Sequence, residues 1–182
     1  FREKTKFFSY YNDGSWEQSK LFYSEDVNSI KTLLLDPNDL SEDGTISISS
    51  ISISPNAELL AYSISDGGSD WRTWKIKNIE TKKDLSDTIN WSKFSGAEWA
   101  KDNSGFYYSG YSEPKAGDEY EELNRNQKLF FHTIGQAQTQ DKLIYERPDK
   151  PEWGWGTTVS EDGNYLILSV SQGTDERNRI FY

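Results

Sequence analysis

The feature that most constrains the fold of this 182-residue chain is a turn followed by an apolar strand, which recurs along the sequence. Ser54–Ser63 (SPNAELLAYS) aligns without gaps with Ser160–Ser169 (SEDGNYLILS), and Ala100–Ser109 (AKDNSGFYYS) is a looser third copy. The copies start 46 residues apart (54 to 100) and then 60 residues apart (100 to 160). Self-similarity at this interval is typical of folds that place similar small sheets side by side.

Short strand patterns separated by turns fill most of the remaining sequence. Thr45–Ile48 and Ile51–Ser54 alternate apolar and polar residues, as half-buried strands do, and the slip at Ser49–Ser50 predicts a bulge. Turn sequences such as Asp66–Gly68 supply residues that tolerate the positive φ of a tight chain reversal. Many short strands with regular turns predict an all-β protein.

The repeat interval refines this prediction to an incomplete β-propeller, because a four-stranded blade takes roughly 40 to 50 residues. We predict about three four-stranded blades and the start of a fourth, all within one partial propeller domain over 1–182. The predicted blade limits are about 5–36, 46–88, 96–146 and, for the partial blade, 157–182. A polar insertion over Glu113–Gln127 accounts for the longer second interval.

The composition excludes several classes of function. The chain has 20 basic and 30 acidic residues and a net charge of -10, so it lacks the clustered Lys and Arg of a nucleic-acid-binding surface. No apolar run approaches the roughly 18 to 20 residues of a membrane span. The absence of Cys excludes thiolate catalysis and Cys-ligated zinc, while an aromatic content of 15% predicts a core built from large rings.

The acidic stretch Glu113–Glu122 is the most conspicuous charge cluster. We interpret it as a solvated loop, with a partner-contact loop as the alternative, because blocks of like charge usually stay in water. Asp118–Glu122 lacks the alternating oxygen ligands and the glycine of a calcium loop. We therefore predict no metal and no cofactor.

The chain begins at Phe1 and contains no Met, which favours an excised piece of a longer protein. With the native N-terminus absent, we expect a cytoplasmic location and leave periplasmic or secreted locations open.

Three further stretches point beyond a generic propeller. They are Leu35–Thr45 (LDPNDLSEDGT), Gly68–Trp71 (GSDW) and Pro151–Gly156 (PEWGWG), the last followed by Asn178–Tyr182 (NRIFY). In this order and spacing they closely resemble the N-terminal part of the propeller of the prolyl oligopeptidase family. The resemblance covers essentially the whole chain.

The resemblance implies a seven-bladed propeller that caps an α/β-hydrolase domain with a Ser, Asp and His triad, in an enzyme that cleaves short peptides after proline. This chain has no Gly-x-Ser-x-Gly nucleophile motif, so we predict that the catalytic domain is absent from it and that it carries no catalytic residue. The sole His, His132, lies in an aromatic strand and is expected to be structural.

Two candidate site residues follow from the resemblance in the middle of the chain. Asp70 matches an Asp that reaches an Arg of the hydrolase domain, although an Asp here is also a common turn residue. Phe94 matches a Phe that lines an apolar peptide subsite between the domains, whereas most propeller aromatics belong to the core.

Two more candidates lie in the last quarter of the chain. In the stretch Trp153–Gly156, the family's apolar cavity residue corresponds most nearly to Gly154, which makes Trp155 a neighbouring candidate. Thr174 matches a position that some relatives fill with Cys and that belongs to the same subsite, so the replacement counts against thiol-based regulation here.

The sequence thus predicts a non-catalytic propeller segment of a prolyl oligopeptidase-type serine peptidase. Its expected partners are the α/β-hydrolase domain of the same parent chain and short proline-containing peptides, whose access it gates; nucleic acid and membrane are not expected partners. The alternative is a free-standing propeller-type interaction module. A glycosidase propeller with Asp boxes fits less well, because Ser41–Thr45 lacks the required spacing and the Trp.

Overall fold

A computed structural model describes residues 1–114 and 124–182, and within these ranges the chain is all-β, as predicted. The strands fall into four groups, and within each group strands that follow one another in sequence pair antiparallel, so each group is a meander. The first group of strands comprises β1 (Arg2–Glu3), β2 (Lys6–Tyr11), β3 (Lys20–Ser24) and β4 (Thr32–Leu35). A 3-10 turn at Pro37–Asp39 follows it, where the carboxylate of Asp36 accepts a hydrogen bond from the Asn38 amide at 3.0 Å.

The second and third groups are joined into one sheet by a single residue pair, Gly110 with Ser92. The second group comprises β5 (Ile46–Ile53), β6 (Leu59–Asp66), β7 (Arg72–Asn78) and β8 (Asp84–Ser92). The third group comprises β9 (Glu98–Trp99), β10 (Gly105–Gly110), β11 (Lys128–Thr133) and β12 (Lys142–Glu146), with a 3-10 turn at Gln138–Gln140. The register shift in β5 between Ile48 and Ser50 confirms the predicted bulge.

The fourth group comprises β13 (Trp153–Val159), β14 (Leu166–Gln172) and β15 (Arg179–Phe181). Its first strand contains two glycines, which are poor strand formers and hide the strand pattern in the sequence. The number of blades and their limits stay a prediction.

The recurring turns share one backbone geometry. Ala57, Asn103 and Gly163 occupy the same repeat position and have φ values of 56°, 63° and 76°. Each donates its amide to the carbonyl oxygen three residues earlier, across 2.7, 3.0 and 2.9 Å. The Asn103 side chain also accepts a hydrogen bond from the Asn56 amide at 2.9 Å, so neighbouring turns contact each other.

Hydrophobic clusters lie between neighbouring groups and supply the core of the described part of the chain. Phe8 and Leu21 pack against Leu60 and Tyr62 between the first and second groups. The second cluster joins Trp74 and Ile76 to residues of the third group, including Trp99 and Phe106. The third cluster brings Leu129 against residues of the fourth group, including Trp155 and Val170. Large rings therefore fill the space between groups, as the aromatic content predicted.

Among the described residues, no helix has the length and apolar character needed to cross a membrane.

Candidate functional site

A pocket of about 430 Å³ opens where the second, third and fourth groups approach one another. We call it the Phe94 pocket. Its lining includes Phe94, Tyr111, Gln127, Gly154, Trp155 and Gly173. The structure thus brings together two of the four predicted site residues, Phe94 and Trp155, which are far apart in sequence.

The backbone of Phe94 has an unusual conformation. Its φ is 51°, and that of the nearby Trp91 is 58°, both in the left-handed region that bulky side chains rarely adopt. Each residue in this backbone conformation lowers the stability of the fold by roughly 1 to 3 kcal/mol. The conformation persists only where surrounding contacts hold it. Phe94 is 53% exposed, so burial of the residue does not explain this conformation.

Two buried serines hold the turn that carries Phe94. Ser92 donates its hydroxyl to the carbonyl oxygen of Ser109 at 2.8 Å, and Ser95 accepts the Ser109 amide on its Oγ at 2.7 Å. Arg72 adds a hydrogen bond from Nη1 to the Ser95 carbonyl oxygen at 3.2 Å. These contacts from β7 and β10 fix the turn and direct Phe94 outward.

Trp155 contributes to the pocket mainly through its backbone. Its ring is only 4% exposed and packs edge-on against Tyr145, with centroids 5.2 Å apart. The Trp155 amide donates to Oε1 of the buried Gln127 at 2.8 Å, while its indole Nε1 has no partner among the described residues.

Glycines on either side of Trp155 leave this wall of the pocket bare. A Cβ at Gly156 would meet no atom within 4 Å, and one at Gly154 would lie 3.4 Å from the Gln127 Oε1. The wall is therefore exposed strand backbone, a surface that an extended peptide can approach closely.

Thr174 lies beside this pocket and not in its lining. It is exposed in the turn between β14 and β15, next to Gly173, whose φ of 52° shapes that turn. The Asp175 amide closes the turn by donating to the Gln172 carbonyl oxygen at 3.0 Å.

Asp70 lies in a different turn, between β6 and β7, and its side chain is exposed. Gly67 and Gly68, with φ values of 54° and 74°, make the chain reversal that presents it. The adjacent Ser69 and Trp71 line a second pocket of about 400 Å³, which we call the Trp71 pocket. Its lining also includes Arg72 and Trp91 but not Asp70 itself.

Aromatic contacts connect the two pockets. The Trp71 ring lies edge-on to Trp91 and to Tyr111, with centroids 5.5 and 6.0 Å apart, and Tyr111 lines the Phe94 pocket. The Lys93 ammonium lies 3.7 Å from the centroid of the Trp71 ring. The turn that presents Asp70 is thereby packed against the surroundings of Phe94.

Several residues of this site were not predicted from the sequence. Arg72, Tyr111 and Gln127 carry no local motif, and only the fold brings them next to Phe94 and Trp155. Trp91 had one available signal, since it lies three positions before Phe94 in the same aromatic segment.

His132 lies away from both pockets and is fully buried. Its ring nitrogens contact the carboxylates of Asp141 and Asp87, at 2.7 and 3.0 Å. These contacts raise the pKa of His132 above its ordinary value, against the opposing effect of burial. Both nitrogens contact carboxylates and neither faces a hydroxyl nucleophile, so the arrangement is that of a structural ion cluster.

Most of the predicted acidic loop, over Glu113–Glu122, lies outside the described residues. Within residues 1–114 and 124–182, no group of three or more His, Asp or Glu side chains is arranged to hold a metal ion.

Comparison with known proteins shows which family has this architecture. The family model described as "Prolyl oligopeptidase, N-terminal beta-propeller domain" matches residues 1–182. A prolyl endopeptidase from Elizabethkingia meningoseptica is 42% identical over 90% of this chain, and one from Elizabethkingia miricola is 38% identical over 96%. The aligned parts are 23% and 24% of those proteins, so the chain spans about a quarter of their length.

Solved structures agree with the sequence relatives. A structure from a study of two prolyl endopeptidases and their inter-domain dynamics matches 98% of this chain and 25% of its own, with a TM-score of 0.86 and 34% identity. Prolyl oligopeptidase B from Galerina marginata, bound to a 35-residue hydrolysis and macrocyclization substrate, matches 97% of this chain and 28% of its own, with a TM-score of 0.86 and 27% identity. Fold, motifs and relatives agree, and the chain belongs to the prolyl oligopeptidase family, as a segment of its N-terminal β-propeller domain.

Proposed function

We propose that this chain forms part of a propeller gate in a serine peptidase that cleaves short peptides after proline. In this role the segment hydrolyses nothing itself. It restricts entry to a catalytic α/β-hydrolase domain of the same parent chain, admits short proline-containing peptides and keeps folded proteins and bulk water away from the active site.

The observation that best supports this role is the geometry of the Phe94 pocket. An aromatic ring held in a strained, half-exposed position faces a wall of glycine backbone at Gly154 and Gly156. Ligand pockets combine apolar walls with a few oriented polar groups, and Gln127 and Asn124 supply such groups here. An apolar side chain of a peptide fits against Phe94 while the peptide backbone lies along the glycines.

Asp70 suits the contact with the catalytic domain. It is exposed at the tip of a turn, and its neighbour Trp71 packs against the aromatic residues that reach the Phe94 pocket. A carboxylate and a guanidinium form two parallel hydrogen bonds with defined geometry, so an Arg on the facing domain would fix both the domain and the bound peptide.

The peptidase that carries this segment provides the test. We would measure kcat/KM for a short proline-containing peptide and for the same sequence placed in a loop of a folded protein. The gate predicts efficient cleavage of the peptide and no cleavage of the folded protein. Removing the propeller while keeping the catalytic domain folded should admit the folded protein as a substrate.

Phe94→Ala addresses the subsite separately. It should raise KM for a peptide with an apolar residue upstream of the proline and leave KM nearly unchanged for one with glycine there. Equal effects on both peptides would contradict the subsite. If removal of the propeller leaves the preference for the short peptide over the folded protein unchanged, the gate is contradicted. That result would favour the free-standing interaction module.

A further inference from the structure

A buried ion cluster joins the second and third groups of strands. His132 of β11 is placed between Asp87 of β8 and Asp141, the residue just before β12. The side chains of His132 and Asp87 are fully buried, and that of Asp141 is 3% exposed. Neither pocket described above includes these residues.

Each nitrogen of the ring lies within hydrogen-bond distance of a carboxylate oxygen. The Nδ1 atom lies 2.7 Å from Oδ1 of Asp141, and Nε2 lies 3.0 Å from Oδ1 of Asp87. A neutral imidazole has one N–H, so its other nitrogen would face a carboxylate oxygen with no proton between them. An imidazolium donates to both carboxylates.

Both carboxylates accept further hydrogen bonds, although Oδ2 of Asp87 has no partner among the described residues. Tyr108 of β10 donates its hydroxyl to Oδ2 of Asp141 at 2.7 Å, and the Gly135 amide donates to Oδ1 of Asp87. Asp87 and Asp141 are the titratable groups that touch the ring among the described residues, and Tyr108 acts through Asp141. The remaining neighbour in ring contact is Phe106, with centroids 5.5 Å apart.

The second group contains an equivalent arrangement with a lysine. Tyr62, which occupies the same repeat position as Tyr108, donates its hydroxyl to Oδ2 of Asp84 at 2.9 Å. The other oxygen of Asp84 accepts from the Lys77 ammonium at 2.7 Å. The second and third groups therefore share a Tyr, an Asp just ahead of or at the start of the last strand, and a basic residue.

The basic residues are also equivalent in strand register. Lys77 pairs with Leu60, and His132 pairs with Phe106, which holds the repeat position of Leu60. Lysine is a cation at neutral pH, so the repeat places a positive charge where His132 lies. In the third group this cation contacts an additional carboxylate, Asp87, contributed by the neighbouring group.

Other polar contacts place the cluster in a continuous seam. Asn90 of β8 donates its amide to Oε1 of Gln138 at 3.0 Å, and Nε2 of Gln138 donates back to the Asn90 carbonyl oxygen at 3.0 Å. These polar contacts thus join β8 to the third group at two points, Asp87 and Asn90. The connection through Asp87 is the stronger of the two, because hydrogen bonds between ions are stronger than those between neutral groups. A change of charge at His132 alters this stronger connection.

We propose that His132 is an imidazolium at neutral pH that latches β8 of the second group to the third group, and that its deprotonation loosens this junction. The latch replaces the lysine of the preceding repeat with a group that loses its charge at a lower pH. The junction between these two groups is therefore expected to be sensitive to alkaline pH.

The direction of the pH effect follows from linkage. The folded protein binds the His132 proton more tightly than the unfolded chain does, so its pKa is raised on folding. Stability from the latch is complete below the unfolded value near 6.5 and is lost as the pH rises through the higher folded value.

The single His of this chain makes the test direct. In the 182-residue protein, nitrogen-15 NMR of the imidazole reports the protonation of both ring nitrogens as the pH is raised. The proposal requires a doubly protonated ring at neutral pH and a midpoint above 6.5. A neutral tautomer at neutral pH, or a midpoint at or below 6.5, would overturn it.

Two substitutions test the latch itself. His132→Gln should lower Tm by roughly 10 °C at pH 6, because it leaves two buried carboxylates without their cation. The difference in Tm between His132→Gln and the wild type should shrink at high pH, where the wild-type ring is neutral like the Gln side chain. His132→Lys should retain more stability at alkaline pH than His132→Gln does. An equal loss of Tm for His132→Gln at pH 6 and at alkaline pH would overturn the latch. If that variant does not fold, the midpoint of the wild-type NMR titration alone decides.

Discussion

Arg72 and Ser95 connect the strand that follows Asp70 to the turn that presents Phe94. The Arg72 guanidinium donates from Nη1 to the Ser95 carbonyl oxygen at 3.2 Å, and the Ser95 hydroxyl accepts the Ser109 amide at 2.7 Å. Asp70 and Phe94, two candidate site residues 24 positions apart in sequence (70 to 94), thus lie next to residues of one hydrogen-bonded network. We therefore expect the positions of Asp70 and Phe94 to be coupled.

Arg72→Ala should release the turn and weaken peptide binding at the Phe94 pocket. The loss of one hydrogen bond to a charged donor corresponds to about 1.5 to 3 kcal/mol, or roughly a tenfold to hundredfold loss of affinity at most. The peptide affinity is measured by titrating the chain with a proline-containing peptide and following the backbone NMR shifts of Phe94 and Trp155. Lys75→Ala on the same strand is the matched control and should leave the peptide-induced shifts unchanged, since the hydrogen bond to the Ser95 carbonyl oxygen comes from Arg72. Similar affinities for wild type and Arg72→Ala would contradict the coupling.

Phe94→Gly and Phe94→Ala separate backbone strain from the pocket wall. Both remove the ring, but glycine adopts a φ of 51° without strain, so the Gly variant should be more stable than the Ala variant by about 1 kcal/mol. Both should bind peptide more weakly than the wild type. Denaturant unfolding gives the stability order, and the reverse order would show that the left-handed backbone is not strained.

Gln127→Ala should destabilise the strand that forms the glycine wall. It removes the acceptor of the Trp155 amide and leaves that donor buried and unpaired, at a cost of about 1 to 3 kcal/mol. Gln127→Glu keeps an oxygen acceptor at the same reach and should retain the hydrogen bond. Amide hydrogen exchange at Trp155 should accelerate in the Ala variant only; protection in both variants would argue that this contact contributes little.

Gly105→Ala should be the most damaging of the single-methyl substitutions. A Cβ at this position would overlap the carbonyl oxygen of His132 on the paired strand, so β10 and β11 would have to separate. We expect a loss of at least about 3 kcal/mol, or failure to fold. Gly96→Ala is the matched control, because a Cβ there meets no atom within 4 Å. Equal thermal stability of the two variants would contradict the close approach.

Asp70→Ala should separate stability from function. Its side chain is exposed, so the free energy of unfolding should change by no more than about 0.5 kcal/mol. In the proposed parent peptidase, the substitution should lower kcat/KM for proline peptides, because a domain contact is lost. Asp66→Ala, in the same turn region, is the control. Unchanged kinetics for Asp70→Ala would remove the proposed role.

The sequence by itself determined the all-β class, the bulge near Ser49 and the recurring turns. These features are local: alternation, turn residues and the repeat of Ser54–Ser63 depend on neighbours along the chain. The family resemblance rested on short motifs of the same kind, such as Gly68–Trp71, and the family comparison confirms it.

Only the tertiary structure decided which side chains meet. Trp155 was a candidate for the pocket wall, yet its ring lies in the core and its neighbouring glycines form the wall. His132 was expected to be structural, and the fold places it between carboxylates 45 positions (87 to 132) and 9 positions (132 to 141) away. Such contacts depend on how separate groups of strands pack against one another, and no local pattern encodes the distance between residues on different groups.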